Sequence, residues 1–169
     1  MKRVLVDVNV VLDVLLARAP HAEASTACLA VIEARHVEGF LSGHAVTTLA
    51  YLVGRARGRA EARRVVQDLC ALSTIAQVDE AVIQRAIVLS LDDFEDAVTA
   101  AAAEAAGCEA ILTRDAAGFT DSPVPGVEPK LWLALLETEA EGNPESEVHE
   151  PRVPGLARRK VAARRRRPT

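Results

Sequence analysis

The sequence predicts an α/β protein, a three-layer α/β/α sandwich around a mostly parallel sheet of about five strands. Two observations carry that expectation. Short apolar runs such as Val4-Leu5-Val6 and Ala110-Ile111-Leu112-Thr113 alternate with segments of helical periodicity. That alternation implies parallel strands with helices on both faces. Half of the 169 residues are hydrophobic, enough for one domain with a sizeable core.

Taken in order, Lys2–Asp7 reads as the first strand. Val10–Ala17 is apolar on most faces and reads as a short helix with Asn9 near its cap. Pro20 punctuates the connection. His21–Arg35 has alanines and leucines at helical spacing. Gly39-Phe40-Leu41-Ser42 is the second strand, His44–Arg57 a helix, and Gly58 breaks it. Arg59–Leu72 is another helix, with Val65, Val66, Leu69 and Leu72 on one face. Ser73–Val78 is the third strand. Asp79 caps a helix over Glu80–Ser90. Asp92–Phe94 is a turn. Glu95–Ala106 is a helix that Gly107 ends. Glu109–Thr113 is the fourth strand, and Val127 begins a short fifth. Pro129–Ala140 is the last helix, with Pro in its first turn.

After Glu141 the composition changes to Gly, Pro, Glu and Ser, then arginines. Residues 1–140 are therefore expected to form the folded domain, and 141–169 a disordered basic tail. The net charge of -4 averages two unlike parts. Residues 151–169 hold eight Lys/Arg and no acid, which leaves the rest with 12 basic and 24 acidic residues. Aromatic content of 3% argues against a base-stacking platform. No apolar stretch approaches the ~18–20 residues of a membrane helix. The chain opens on a strand-like run rather than a signal peptide, so the expected location is the cytoplasm. Cys28, Cys70 and Cys108 lack metal-type spacing and read as reduced, buried thiols.

Three aspartates sit where these elements begin or end. Asp7 closes the first strand, Asp96 opens the alanine-rich helix, and Asp115 follows the fourth strand. In open α/β sheets the crevice outside the carboxyl ends of the strands binds ligands, so distant acids can converge there. Close carboxylates are costly without a cation, which points to Mg²⁺ or Mn²⁺ and to phosphate chemistry.

Three stretches carry a family resemblance. They are Leu5-Val6-Asp7-Val8-Asn9-Val10-Val11-Leu12-Asp13, Asp93-Phe94-Glu95-Asp96-Ala97, and Thr113-Arg114-Asp115 with Phe119 four residues later. Together they resemble the PIN domain, the fold of VapC-type toxin ribonucleases, over about residues 1–140. The resemblance implies a metal-dependent endoribonuclease that hydrolyses single-stranded RNA with Mg²⁺ or Mn²⁺. It implies the toxin of a type II toxin–antitoxin pair or a stand-alone relative, with an antitoxin protein as partner and a homodimer as assembly. It casts Asp7, Asp96 and Asp115 as the catalytic, metal-holding acids, with Asn9 and Thr113 as neutral hydrogen-bonding support.

One departure stands out. The family usually places a Glu on the helix after the second strand. Here that helix reads His44-Ala45-Val46-Thr47-Thr48-Leu49-Ala50-Tyr51-Leu52, with no carboxylate. Thr47, Thr48 or Ala50 takes the place of the Glu, and Thr47 is the candidate supporting residue. A Thr-Thr-Leu-x-Tyr pattern resembles a subgroup of the family. Asp93 could replace the lost charge or could cap the helix that follows.

Each acid also has a plain structural reading. Asp7 would be a solvated strand end, Asp96 a first-turn acid favoured by the helix dipole, and Asp115 a turn residue. Asp13 reads as a helix-surface acid and His44 as a helix-start residue. Arg114 is either an RNA phosphate contact or solvent-facing. Tyr51 and Trp132 read as core or interface. The basic cluster Arg158, Arg159, Lys160 and Arg164–Arg167 either contacts RNA phosphates or offsets the acidic body. A second function follows from the missing Glu: a weak or inactive PIN-like module that binds RNA or a protein partner. A haloacid-dehalogenase-like phosphatase would need an Asp where Asn9 stands.

Overall fold

A computed structural model describes residues 1–141 of the chain. The expectations for the tail, including Arg158, Arg159 and Lys160, lie outside the described residues. Five strands alternate with seven α-helices among them: β1 (Arg3–Val6), α1 (Val8–Leu16), α2 (Ala22–Glu33), β2 (Glu38–Ser42), α3 (Gly43–Arg57), α4 (Arg59–Leu72), β3 (Thr74–Ala76), α5 (Glu80–Ile87), α6 (Phe94–Ala105), β4 (Ala110–Leu112), β5 (Gly126–Val127) and α7 (Pro129–Glu141). A single 3-10 turn, Ala117–Phe119, sits between β4 and β5.

The strand order is β3-β2-β1-β4-β5, and every pairing is parallel. Successive side chains on a strand point to opposite faces. Val4 and Val6 of β1 enter a core shared with α1, α2, α3, α4 and Trp132 of α7. Leu5 between them enters a second core with Val82 and Ala86 of α5 and the alanines of α6. β4 repeats the pattern, with Ala110 and Leu112 on the first face and Ile111 on the second. The sheet is thus buried on both sides, which explains why its strands read as continuous apolar runs. The run Ala100-Ala101-Ala102-Ala103 is entirely buried, so α6 lies close against the sheet. On the other face, a methyl group added at Gly39 of β2 would stand 2.5 Å from Ile32 Cγ2 of α2. No helix among the described residues is long and apolar enough to cross a membrane.

Most boundaries agree with the sequence reading, and the exceptions have local causes. α1 begins at Val8, two residues early, because the Asp7 carbonyl already accepts from Val10 N at 3.1 Å. Asp7 is therefore the N-cap and Asn9 lies inside the helix, not at its cap. α5 ends at Ile87 rather than Ser90. Asp79 caps it as expected, accepting from Val82 N at 3.0 Å. Gly107 takes φ +67, as its place after α6 requires. Tyr51 is not core: it is 60% exposed, with Arg55 over its ring. Trp132 is core. Cys28 and Cys108 are buried, whereas Cys70 is exposed.

Candidate active site

β1 has β2 on one side and β4 on the other, so the connections leave it in opposite directions. The carboxyl ends of β1 and β4 form the crevice of a topological switch point. Val6 pairs with Leu112, and Asp7 N donates to Leu112 O at 2.9 Å. The residues just beyond, Asp7 and Thr113, are thereby set side by side.

Asp7 occupies the N-cap of α1, yet its side chain makes no capping hydrogen bond there. Instead Asp7 Oδ2 accepts from Thr113 Oγ1 at 2.9 Å and from Asn9 Nδ2 at 3.5 Å. The carboxylate is only 9% exposed. Burial raises its pKa, and the Thr113 hydroxyl opposes that rise most, helped by the nearby polar groups of Val8 and Asn9. Thr113 also accepts from Asp115 N at 3.1 Å, so one hydroxyl ties the first acid to the loop of the third.

Asp115 Oδ1 accepts from Gly118 N at 3.1 Å. A Cβ built on Gly118 would stand 3.2 Å from Asp115 Oδ2 and 3.4 Å from Asp96 Oδ2. The two carboxylates thus flank one small space that the missing side chain leaves open. Asp96 lies in the first turn of α6, and its pKa is pushed up to about 6. Burial is the largest cause, followed by the charges of Asp7, Asp93, Asp115 and Glu95. Asp93 caps α6, accepting from Glu95 N at 2.7 Å and Asp96 N at 3.3 Å. It also faces the cavity, so its two readings are compatible.

That cavity holds about 260 Å³ and is lined by Asp92, Asp93, Asp96, Asp115 and Asp121 among other residues, with no basic side chain. Asp7 is not part of the lining, but its charge acts on Asp96, which is. Asp92, Glu95 and Asp121 escaped the sequence reading, although the acidic run Asp92-Asp93-Phe94-Glu95-Asp96 signalled the first two. A larger cavity of about 560 Å³, bordered by His21, Arg114 and Lys130, shares no lining residue with it.

Two expectations need correction, and Arg114 gains a buried partner. Asp13 is no surface acid; it is fully buried, accepts from Ser25 Oγ at 3.3 Å and lies 3.4 Å from Arg114 Nη1. Arg114 is partly exposed along the larger cavity, and its Nη2 donates to Asn9 Oδ1 at 3.2 Å. Thr47 is exposed and donates to the His44 carbonyl of its own helix at 2.7 Å. The residue that α3 sends toward the acids is His44, with Nε2 3.4 Å from Thr99 Oγ1 and 3.9 Å from Glu95 Oε1. Burial lowers the His44 pKa, against the charges of Glu95 and Asp7.

The donor set suits a hard cation, since every candidate ligand is a carboxylate oxygen. The space beside Gly118 is a cradle that a methyl would fill. Among the described residues, however, no three acids, histidines or cysteines stand close enough to ligate one ion directly. Mg²⁺ keeps several waters beside one or two carboxylates, so water-bridged holding fits this spacing.

A family model described as PIN domain matches residues 3–117. Among solved structures, FitAcB from Neisseria gonorrhoeae is 22% identical with a TM-score of 0.60, covering 75% of this chain and 98% of that one. VapBC2 from Rickettsia felis, bound to a DNA fragment from its promoter, is 12% identical with a TM-score of 0.58, covering 75% and 98%. VapC20 from Mycobacterium tuberculosis, a toxin cleaving the sarcin-ricin loop, is 14% identical with a TM-score of 0.55, covering 72% and 98%. No curated protein matches the sequence.

Proposed function

The chain belongs to the PIN domain family, and from that premise we propose that it is a metal-dependent endoribonuclease hydrolysing phosphodiester bonds of single-stranded RNA. The observation that carries the reading is the Asp96–Asp115 pair around the open space at Gly118, with Asp7 held beside it. Asp7, Asp96 and Asp115 would hold Mg²⁺ or Mn²⁺ at least partly through bridging waters, with Asp93 at the edge. When bound, such an ion lowers the pKa of a water and offsets charge developing on the phosphate.

The chain's own residues do the remaining work. Thr113 and Asn9 fix the Asp7 carboxylate by donating to Oδ2. Gly118 N holds Asp115 by one oxygen and leaves the other toward Asp96. Burial first, and the neighbouring acids after it, raise the pKa of Asp96, and a cation beside it would favour its ionised form.

The biological role we assign is the toxin of a type II pair or a stand-alone relative, in the cytoplasm, with an antitoxin as partner and a homodimer as assembly. The neighbour VapC20 is a toxin that cleaves the sarcin-ricin loop, which supports that choice. Exposed Ile87, Val88 and Phe94 supply apolar surface for a protein partner. A second reading, a weak or inactive module that binds RNA or protein, is favoured by the absence of a carboxylate on α3.

Cleavage of single-stranded RNA with Mn²⁺ separates the two. Wild type should cut, and Asp7→Asn and Asp96→Asn should lose at least roughly 10–100-fold. Equal residual cleavage by all three would mean that these acids do not act, and would leave the binding module.

A further inference from the structure

We propose that Asp13 and Arg114 are a positioning pair for the candidate site, acting through Asn9 on the Asp7 carboxylate; this rests on the nuclease reading above. The contacts form one line. Asp13 Oδ1 lies 3.4 Å from Arg114 Nη1, Arg114 Nη2 donates to Asn9 Oδ1 at 3.2 Å, and Asn9 Nδ2 donates to Asp7 Oδ2 at 3.5 Å.

The Asp13 side chain is fully buried, in a helix whose Val10, Val11, Leu12, Val14 and Leu15 are buried too. A buried ion pair gains little over apolar residues of similar volume, because both charges lose their hydration. This one is also incompletely satisfied: Asp13 Oδ1 and Arg114 Nε have no hydrogen bond. Stability alone gives weak reason for an acid there.

Where Arg114 sits supplies the stronger reason. It lies between Thr113, which donates to Asp7, and Asp115, which borders the cavity. Asp13 and Ser25 therefore anchor, from inside the core, the middle of the segment that carries two site residues. The planar guanidinium presents one nitrogen to the buried acid and another to Asn9, a fork that lysine lacks. With Asn9 Oδ1 occupied by Arg114, the carboxamide is turned so that its NH₂ faces Asp7.

The test uses the full chain and four variants: Asp13→Asn, Arg114→Gln, Arg114→Lys and Asn9→Ala. The first readout is the side-chain amide NMR signal of Asn9 in metal-free protein, assigned by its loss in Asn9→Ala. It should move in Asp13→Asn and in Arg114→Gln. The second is Mn²⁺-dependent cleavage of single-stranded RNA. Asp13→Asn and Arg114→Gln should each lower kcat about 10–100-fold with KM nearly unchanged. In the Asn9→Ala background, Arg114→Gln should cost about twofold or less, because the pair acts through Asn9. Arg114→Lys should recover little.

An Asn9 signal unmoved in both variants overturns the proposal, as does a lower melting temperature with kcat intact. A raised KM with unchanged kcat also overturns it, and makes Arg114 a phosphate contact. If Asp13→Asn does not fold, Arg114→Gln decides by the same readouts. An Asn9 signal that moves in the variants, while wild type shows no Asp7-dependent cleavage, sinks the nuclease reading and leaves the coupling standing.

Discussion

Thr113 donates its hydroxyl to the Asp7 carboxylate at 2.9 Å and accepts the Asp115 amide at 3.1 Å, so one side chain fixes two acids far apart in sequence. Thr113→Val keeps the shape and removes both contacts. Losing a donor to a buried carboxylate costs about 1–3 kcal/mol. The urea midpoint should fall accordingly, and RNA cleavage should drop more in Thr113→Val than in Thr113→Ser, which keeps the hydroxyl.

Asp96 gives a pH-dependent prediction. Folding raises its pKa from 3.8 to about 6. Below the unfolded value both states hold the proton, so burial carries no penalty. As pH rises through the window between these values, the unfolded chain releases its proton first, and the stability contributed by this group is lost. In metal-free protein, Asp96→Asn should therefore melt above wild type at pH 7.5. The gap should close as pH falls to about 4. A constant gap across that range would contradict it.

Gly118→Ala should damage the site and spare the fold. Its methyl would stand 3.2 Å from Asp115 Oδ2 and 3.4 Å from Asp96 Oδ2. The rise in melting temperature on adding Mn²⁺ should shrink in the variant, through an affinity loss of roughly 10-fold or more. Its melting temperature in EDTA should match wild type.

Gly39→Ala should do the reverse. Its methyl would meet only Ile32 at close range, at 2.5 Å from Cγ2, between α2 and β2. Overpacking of this kind costs about 1–3 kcal/mol. Chemical denaturation should show that loss, and Ile32→Val in the same chain should recover part of it.

The cysteines should react unequally. Burial pushes the thiols of Cys28 and Cys108 up to about 12, whereas Cys70 is exposed. Iodoacetamide at pH 8 should label native protein once, at Cys70, as read by mass spectrometry of its peptides. Labelling of all three should require denaturant.

The elements were legible because polarity changes sharply at their ends. Asp7, Asp96 and Asp115 each stand where an apolar run meets a turn or a helix start, and strand order brings such ends together. Asp13 was not legible. α1 is apolar on nearly every face, so a single acid in it reads as its surface stripe, and the partner that neutralises it lies beyond β4. Thr47 was misplaced for a similar reason. Helical spacing fixes which residues share a face, but not which face meets the acids, and α3 turns His44 toward α6. Cys70 and Tyr51 show the same limit, since composition favours burial and only packing decides it.

The central position of β1 also sets when the acidic cluster comes into being. During synthesis, β1, β2, β3 and the helices α1 to α4 leave the ribosome first. Asp7 is then already present, but its neighbour strand β4 and the loop with Thr113 and Asp115 are not. An emerging chain thus carries Asp7 and then Asp96, but not the full cluster, until β4 seats against β1 and brings Asp115. Whatever chemistry the acids perform is withheld from the translating ribosome until most of the domain has been made.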